Sequence, residues 1–196
     1  NEDGITVHAA AATSVTMGSG QQSFISSVGN DTVTLSAGST FVFGQTAVAN
    51  GSDLIKGFVA TTTSTGSTLD FAQFLGNSYT AGTEVVSSTS QFGGAANTVT
   101  LVDGSNVAAN VNDGLAVQNV ISLSDFTSTY LSQVSGKEVL VAFNNSLHTA
   151  KVYFVDSSLG GSATTVDTAT DIVLVGTVNY TGDLSATGLH TTATAI

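Results

Sequence analysis

Large apolar residues return every nine positions near the start of the chain, at Val15, Phe24, Val33 and Val42. Each follows by four residues a small one, Ala11, Gly20, Gly29 or Gly38. Residues 17–43 divide without a gap into three such units, Met17–Ile25, Ser26–Thr34 and Leu35–Phe43, with glycine fourth and the apolar residue eighth. Glycine accepts backbone angles that a Cβ resists, so the fourth place predicts a tight turn. Side chains alternate along a strand, so the eighth residue of a three-residue strand points inward and its neighbours outward. A nine-residue unit of turn and strand is the period of a parallel β-roll.

The turn spacing reappears downstream. Gly51-Ser52-Asp53-Leu54-Ile55 repeats the order of Gly29-Asn30-Asp31-Thr32-Val33. The aspartates are 53 − 31 = 22 residues apart, two units of nine plus an insertion of four. Alternate units turn on the same edge of a roll, so Asp31 and Asp53 are expected to stand above one another. In this frame Ile25, Phe41 and Phe43 are apolar at outward places, and such patches pack against something. The downstream part of the chain, or a neighbouring subunit, is the expected cover.

Beyond residue 58 the pattern changes. Leu69–Gly76 reads as a short helix or strand-turn, with Asp70 as N-cap and Gly76 as its stop. Strands are expected at 84–87 and 98–102, the second closed by Asp103-Gly104, with a further turn at Asn112-Asp113-Gly114. Leu123, Phe126, Tyr130, Leu131 and Val134 fall at helical spacing between Ser122 and Gly136, which predicts a helix over 123–135. Lys137–Phe143 and Ala150–Val155 form the clearest hairpin and are apolar on both faces, as central strands are. Residues 171–178 read as another strand of that kind. The expected fold is therefore all-β: a short parallel β-roll over 1–58, then a β-rich, sandwich-like module over 59–196 with one or two short helices.

Composition narrows the function. Fourteen carboxylates against three lysines and no arginine give a net charge of −11. So few cations exclude a phosphate-neutralising role, and nucleic acid is not an expected partner. No apolar run approaches the ~18–20 residues that span a bilayer, so no membrane insertion is expected. With 41% apolar residues the chain is not an acidic disordered tail. Cysteine is absent, which removes disulfides, zinc thiolates and thiol chemistry together. The first residues, Asn1-Glu2-Asp3-Gly4, lack the basic stretch and apolar core of a secretory signal peptide, and none is expected here.

The candidate chemistry is metal binding. Asp31 and Asp53, with turn carbonyls, would hold a hard cation that wants ~6–8 oxygens. The competing role for both is capping turns through backbone N–H groups. Asp103, Asp113, Asp125, Asp156, Asp167, Asp171 and Asp183 are scattered singly and read as solvated turn residues. No nucleophile elbow, zincin or P-loop motif occurs, and His8, His148 and His190 are isolated, so no enzymatic activity is expected.

The nonapeptide units, Gly51–Phe58 (Gly-Ser-Asp-Leu-Ile-Lys-Gly-Phe) and Leu69-Asp70-Phe71 together resemble the carboxy-terminal region of RTX-type proteins exported by type I secretion. The Thr/Ser/Ala/Gly-rich, charge-poor composition is most similar to the bacterial surface-layer (S-layer) members. The resemblance covers about 8–71 by motif and 72–196 by composition only. It implies calcium in the turns, secretion to the extracellular cell surface, and a structural role in which the protein self-assembles as a homo-oligomer or lattice. Residue by residue, Asp31 matches the family's sixth-position ligand, and Asp53 matches it by spacing. Thr13, Gln22 and Thr40 stand at that place in the other units, so a full ladder of ions is not implied. The alternatives are an adhesin whose 72–196 loops bind a cell-surface glycan, and the secretion-targeting end of another exported protein.

Overall fold

A computed structural model describes residues 4–61, 63, 65–76, 80–85, 97–103, 136–156 and 172–185. The start of the chain winds as a two-sheet roll. Strands β1 (Thr6–His8), β3 (Ser23–Ile25), β5 (Thr40–Val42) and β7 (Thr68–Asp70) form a parallel four-stranded sheet. Strands β2 (Ser14–Thr16), β4 (Thr32–Thr34) and β6 (Asp53–Val59) line up in parallel opposite them. Successive turns of chain alternate between the sheets, as the nine-residue period predicts.

The inward rows run Val7, Phe24, Phe41, Leu69 on one side and Val15, Val33, Ile55 on the other. Here one expectation is corrected. Phe24 is in register with Phe41, not with Val42, so the step from Val33 is 41 − 33 = 8 residues rather than nine. A one-residue shift turns every side chain of a strand to the other face. Phe41 is consequently core, and Val42 takes the outward place. Phe43, just past the strand, is also fully buried. It packs edge-on against Phe41 at 4.8 Å, stacks on Phe71 at 4.8 Å and tilts against Phe154 at 5.9 Å. Of the three apolar residues expected to face outward, only Ile25 does.

The turn at Gly29 has φ +128°, and a Cβ there would lie 2.5 Å from the Ala12 nitrogen. That closeness is what stacking one coil on the next requires. The four-residue insertion becomes a single helical turn, α1 (Ala47–Asn50), capped by the Thr46 side chain on the Ala49 N–H. Val48 faces solvent while Asn50 is buried, so the extra residues bulge out without breaking the stack.

Three strands predicted downstream are present as β10 (Lys137–Asn144), β11 (Thr149–Asp156) and β12 (Ile172–Thr181). With β8 (Thr80–Val85) and β9 (Thr98–Asp103) they extend the second roll sheet into eight strands, ordered β2-β4-β6-β12-β11-β10-β9-β8. The β6–β12 pairing is parallel, so the sheet runs unbroken across residue 58. Val139, Val141, Phe143, Val152 and Phe154 of β10 and β11 join the roll's aromatic row in one core. Phe74, on the short helix α2 (Ala72–Leu75), stacks on Phe154 at 3.8 Å and seals the junction. The N-cap of that helix is Phe71 rather than the expected Asp70, which ends β7 and accepts the Ala72 N–H at 2.8 Å from one place earlier. The helix expected over 123–135 and the turn at 112–114 lie outside the described residues.

Candidate functional site

The inference from the 22-residue spacing holds: Asp31 and Asp53 occupy equivalent places in stacked coils. Both are buried, with 1% and 2% of their surface exposed. Each carboxylate reaches across to the coil before it. Asp53 Oδ1 accepts the Asp31 backbone N–H at 2.8 Å, and Asp31 Oδ1 accepts the Thr13 N–H at 2.8 Å. The next atoms along the chain continue the strand ladder, Leu54 N to Asp31 O and Thr32 N to Thr13 O, both 2.8 Å. Positions 13, 31 and 53 are thus joined by side chain to backbone just before the strands join by backbone alone. One residue earlier, Asn30 Oδ1 takes the Ser52 N–H at 2.9 Å.

Asp53 is the more heavily bound. Its Oδ2 accepts from Ser26 Oγ at 2.9 Å and from Asn50 Nδ2 at 3.1 Å. Asn50 in turn donates to the Val175 carbonyl at 2.9 Å and accepts from Gly44 N at 3.0 Å, tying the helical turn to β12. Burial pushes the Asp53 carboxyl up to about 7, against the pull of the Asp31 N–H, and the nearby Asp31 charge adds to the rise. Asp31 is raised too, by burial first, with backbone bonds from Thr13 and Ser27 opposing it. Its Oδ2, like Ser27 Oγ, is buried without a hydrogen-bond partner.

These residues do not fit the calcium ion that the resemblance implies. Three donors already point at the Asp53 carboxylate, and one of them, the Asn50 amide, would meet a cation with its positive end. Among the described residues no group of three or more carboxylates or histidines gathers to hold a metal. An ion seeking about six to eight oxygens would find one unengaged carboxylate oxygen at this edge. What the arrangement does is mechanical: it fastens coil to coil through side-chain oxygens that accept backbone N–H groups of the coil before.

The remaining sequence candidates are not drawn together. His8 lies on β1, His148 in the β10–β11 turn at 5.7 Å from the Tyr180 ring, and Asp183 follows β12. Asp113, Asp125, Asp167, Asp171 and His190 lie outside the described residues.

A second buried carboxyl, outside the turn pattern, is Glu138. It sits on the face of β10 shared with Leu140 and Ala142, across from Val155, and is fully buried. Burial lifts it to about 7, opposed by a hydrogen bond from the Thr100 hydroxyl, and its second oxygen has no hydrogen-bond partner. Lys151, on the same face opposite Ala142, is buried as well and its ammonium is lowered by that burial. Period-two alternation places Glu138 with Leu140 and Ala142 on the face of β10 away from the roll core, and the apolar character of those two neighbours is the signal that this face is covered. No family model, curated protein or solved structure matches the chain.

Proposed function

We propose that this chain is a non-enzymatic structural module of a secreted protein of the RTX surface-layer type, one that associates with copies of itself at the cell surface. The observation that carries the reading is the open end of the roll. Among the described residues β1 and β2 pair on one side only, so their other edges present free backbone N–H and C=O groups. Beneath those edges Val7 and Val15 are only partly covered, and Ile5 is exposed. Such an end takes a further coil, from a second copy or from adjoining chain, because the next coil buries the same rows that each coil buries already. Unpaired strand edges recruit further strands by the same logic.

The resemblance supports export and display, and the acidic, cysteine-free composition accords with both. Calcium belongs to this reading as a condition to be varied, not as a ligand of Asp31 and Asp53. Static and dynamic light scattering of the full chain, with calcium and with chelator, tests it. Growth of large ordered particles in either condition supports self-association. A monodisperse monomer in both, at high concentration, overturns it.

A further inference from the structure

The outward face of the four-stranded sheet carries a groove of about 890 Å³, within the size range of small-ligand sites. Strand register puts Thr6, Ser23, Thr40 and Thr68 in one row across it, one hydroxyl per strand. Strand spacing sets these about 4.8 Å apart. Among the described residues none of the four hydroxyls is spent on a hydrogen bond within the protein.

Two residues further along each strand a second row runs His8, Ile25, Val42, Asp70. Ile25 and Val42 give the groove an apolar floor between polar ends. Asp70 closes the inner end with 3% of its surface exposed, its Oδ1 held by the Ala72 N–H. That is its one hydrogen bond among the described residues. Gln21 and Gln73 add amides at the rim, and no lysine or arginine lines the cavity.

This lining selects its ligand by chemistry. A carboxylate only accepts, so whatever meets Asp70 must donate. Hydroxyls and amides pair in either direction with groups like themselves. An anion would find no cation here, on a chain already at −11. A neutral oligosaccharide meets every term: donors and acceptors on each ring, an apolar C–H face for Ile25 and Val42, and a repeat that lays successive rings on successive strands. We propose that the outer face of the four-stranded sheet, closed by Asp70, is a binding groove for a neutral oligosaccharide. Gln73 apart, it lies on the four-stranded sheet of the roll rather than on the 72–196 loops where the adhesin alternative would put a glycan site, and it does not depend on self-association.

Isothermal titration calorimetry of the full chain tests it, with cellohexaose, maltohexaose and N-acetylated chitohexaose as neutral probes and a hyaluronan hexasaccharide as the anionic one. At least one neutral probe is expected to bind. Thr40→Arg, which puts a long side chain in mid-row, is expected to weaken that binding tenfold or more while leaving the thermal melt unchanged. Asp70→Asn keeps an acceptor for the Ala72 N–H and is expected to weaken binding by a similar factor. Failure of all three neutral probes overturns the proposal, as does binding unaffected by Thr40→Arg, or hyaluronan binding as tightly as the neutral sugars. Concentration-dependent dimerisation that Thr40→Arg abolishes, with no sugar bound, would assign the groove to a second copy and overturn it equally.

Discussion

The backbone N–H of Asp31 donates to Oδ1 of Asp53 at 2.8 Å, so an acidic side chain in one coil holds the main chain of the coil before it. The same bond is repeated one step away between Thr13 and Asp31. In an ion-filled roll a cation would pull such carboxylates together. Here amides and hydroxyls do so, and the consequences are measurable.

Removing the Asp53 carboxylate leaves the Asp31 N–H buried without an acceptor and takes one bond each from Ser26, which keeps the Asn50 carbonyl, and from the Asn50 amide, which keeps the Gly51 and Val175 carbonyls. An unsatisfied buried group costs about 1–3 kcal/mol and each further lost bond about 0.5–1.5 kcal/mol, so Asp53→Ala is expected to destabilise by roughly 2–5 kcal/mol. Asp31→Ala removes the acceptor of the Thr13 N–H and the weaker support from the Ser27 backbone, and should cost about 1–3 kcal/mol. Urea denaturation of both variants checks the order; equal losses would mean that the extra bonds of Asp53 contribute nothing.

Calcium removal should be silent at this edge. Thermal melts in excess calcium and in excess chelator are expected to superimpose for the native chain. A calcium-dependent rise in Tm that disappears in both Asp31→Asn and Asp53→Asn would return the ion to these residues.

Mild acid should stabilise the protein. Asp53 and Glu138 are both raised to about 7 by burial, so the folded state holds their protons more tightly than the unfolded state does. Their contribution is complete below the ordinary carboxyl range and is lost as pH rises through about 7. Calorimetry is expected to show Tm falling between pH 5 and pH 8, with the slope reduced in Asp53→Asn and again in Glu138→Gln. A flat or rising profile over that window would contradict the burial of both groups.

The eight-residue step between Val33 and Phe41 makes neighbouring positions unequal. Phe41→Ala should cost about 3–5 kcal/mol as a core truncation. Val42→Thr, on the groove's apolar floor, is expected to cost less, about 1–2 kcal/mol, because it keeps the volume and adds one largely buried hydroxyl. The reverse order would restore the uniform nine-residue frame.

These residues also mark where the sequence was informative. Turn glycines and the inward Phe24 and Val33 act locally, so their spacing revealed the roll and the stacking of Asp31 on Asp53. The slip at Phe41 was hidden because Phe41, Val42 and Phe43 are all apolar, and only pairing with a distant strand chooses among them. The donors around Asp53 were equally out of sight. Ser26 is 27 residues away, and the Asn50 partner Val175 is 125 away, so their convergence is a product of tertiary packing. Glu138 was concealed by a different effect, since a carboxyl in a strand is ordinarily read as solvent-facing. The groove went unnoticed because hydroxyls 17 to 28 residues apart form a row only once register is known.

β6 serves as the last coil of its roll sheet and as the immediate neighbour of β12. Among the described residues the spiral is therefore clamped on its β6 side and held from one side only at β1 and β2. Unwinding from the β6 side has to tear residues 172–181 away from it, whereas β1 and β2 can peel off singly. Under tension or heat the winding should come apart in one direction, like a thread drawn from its loose tip toward a clamped one.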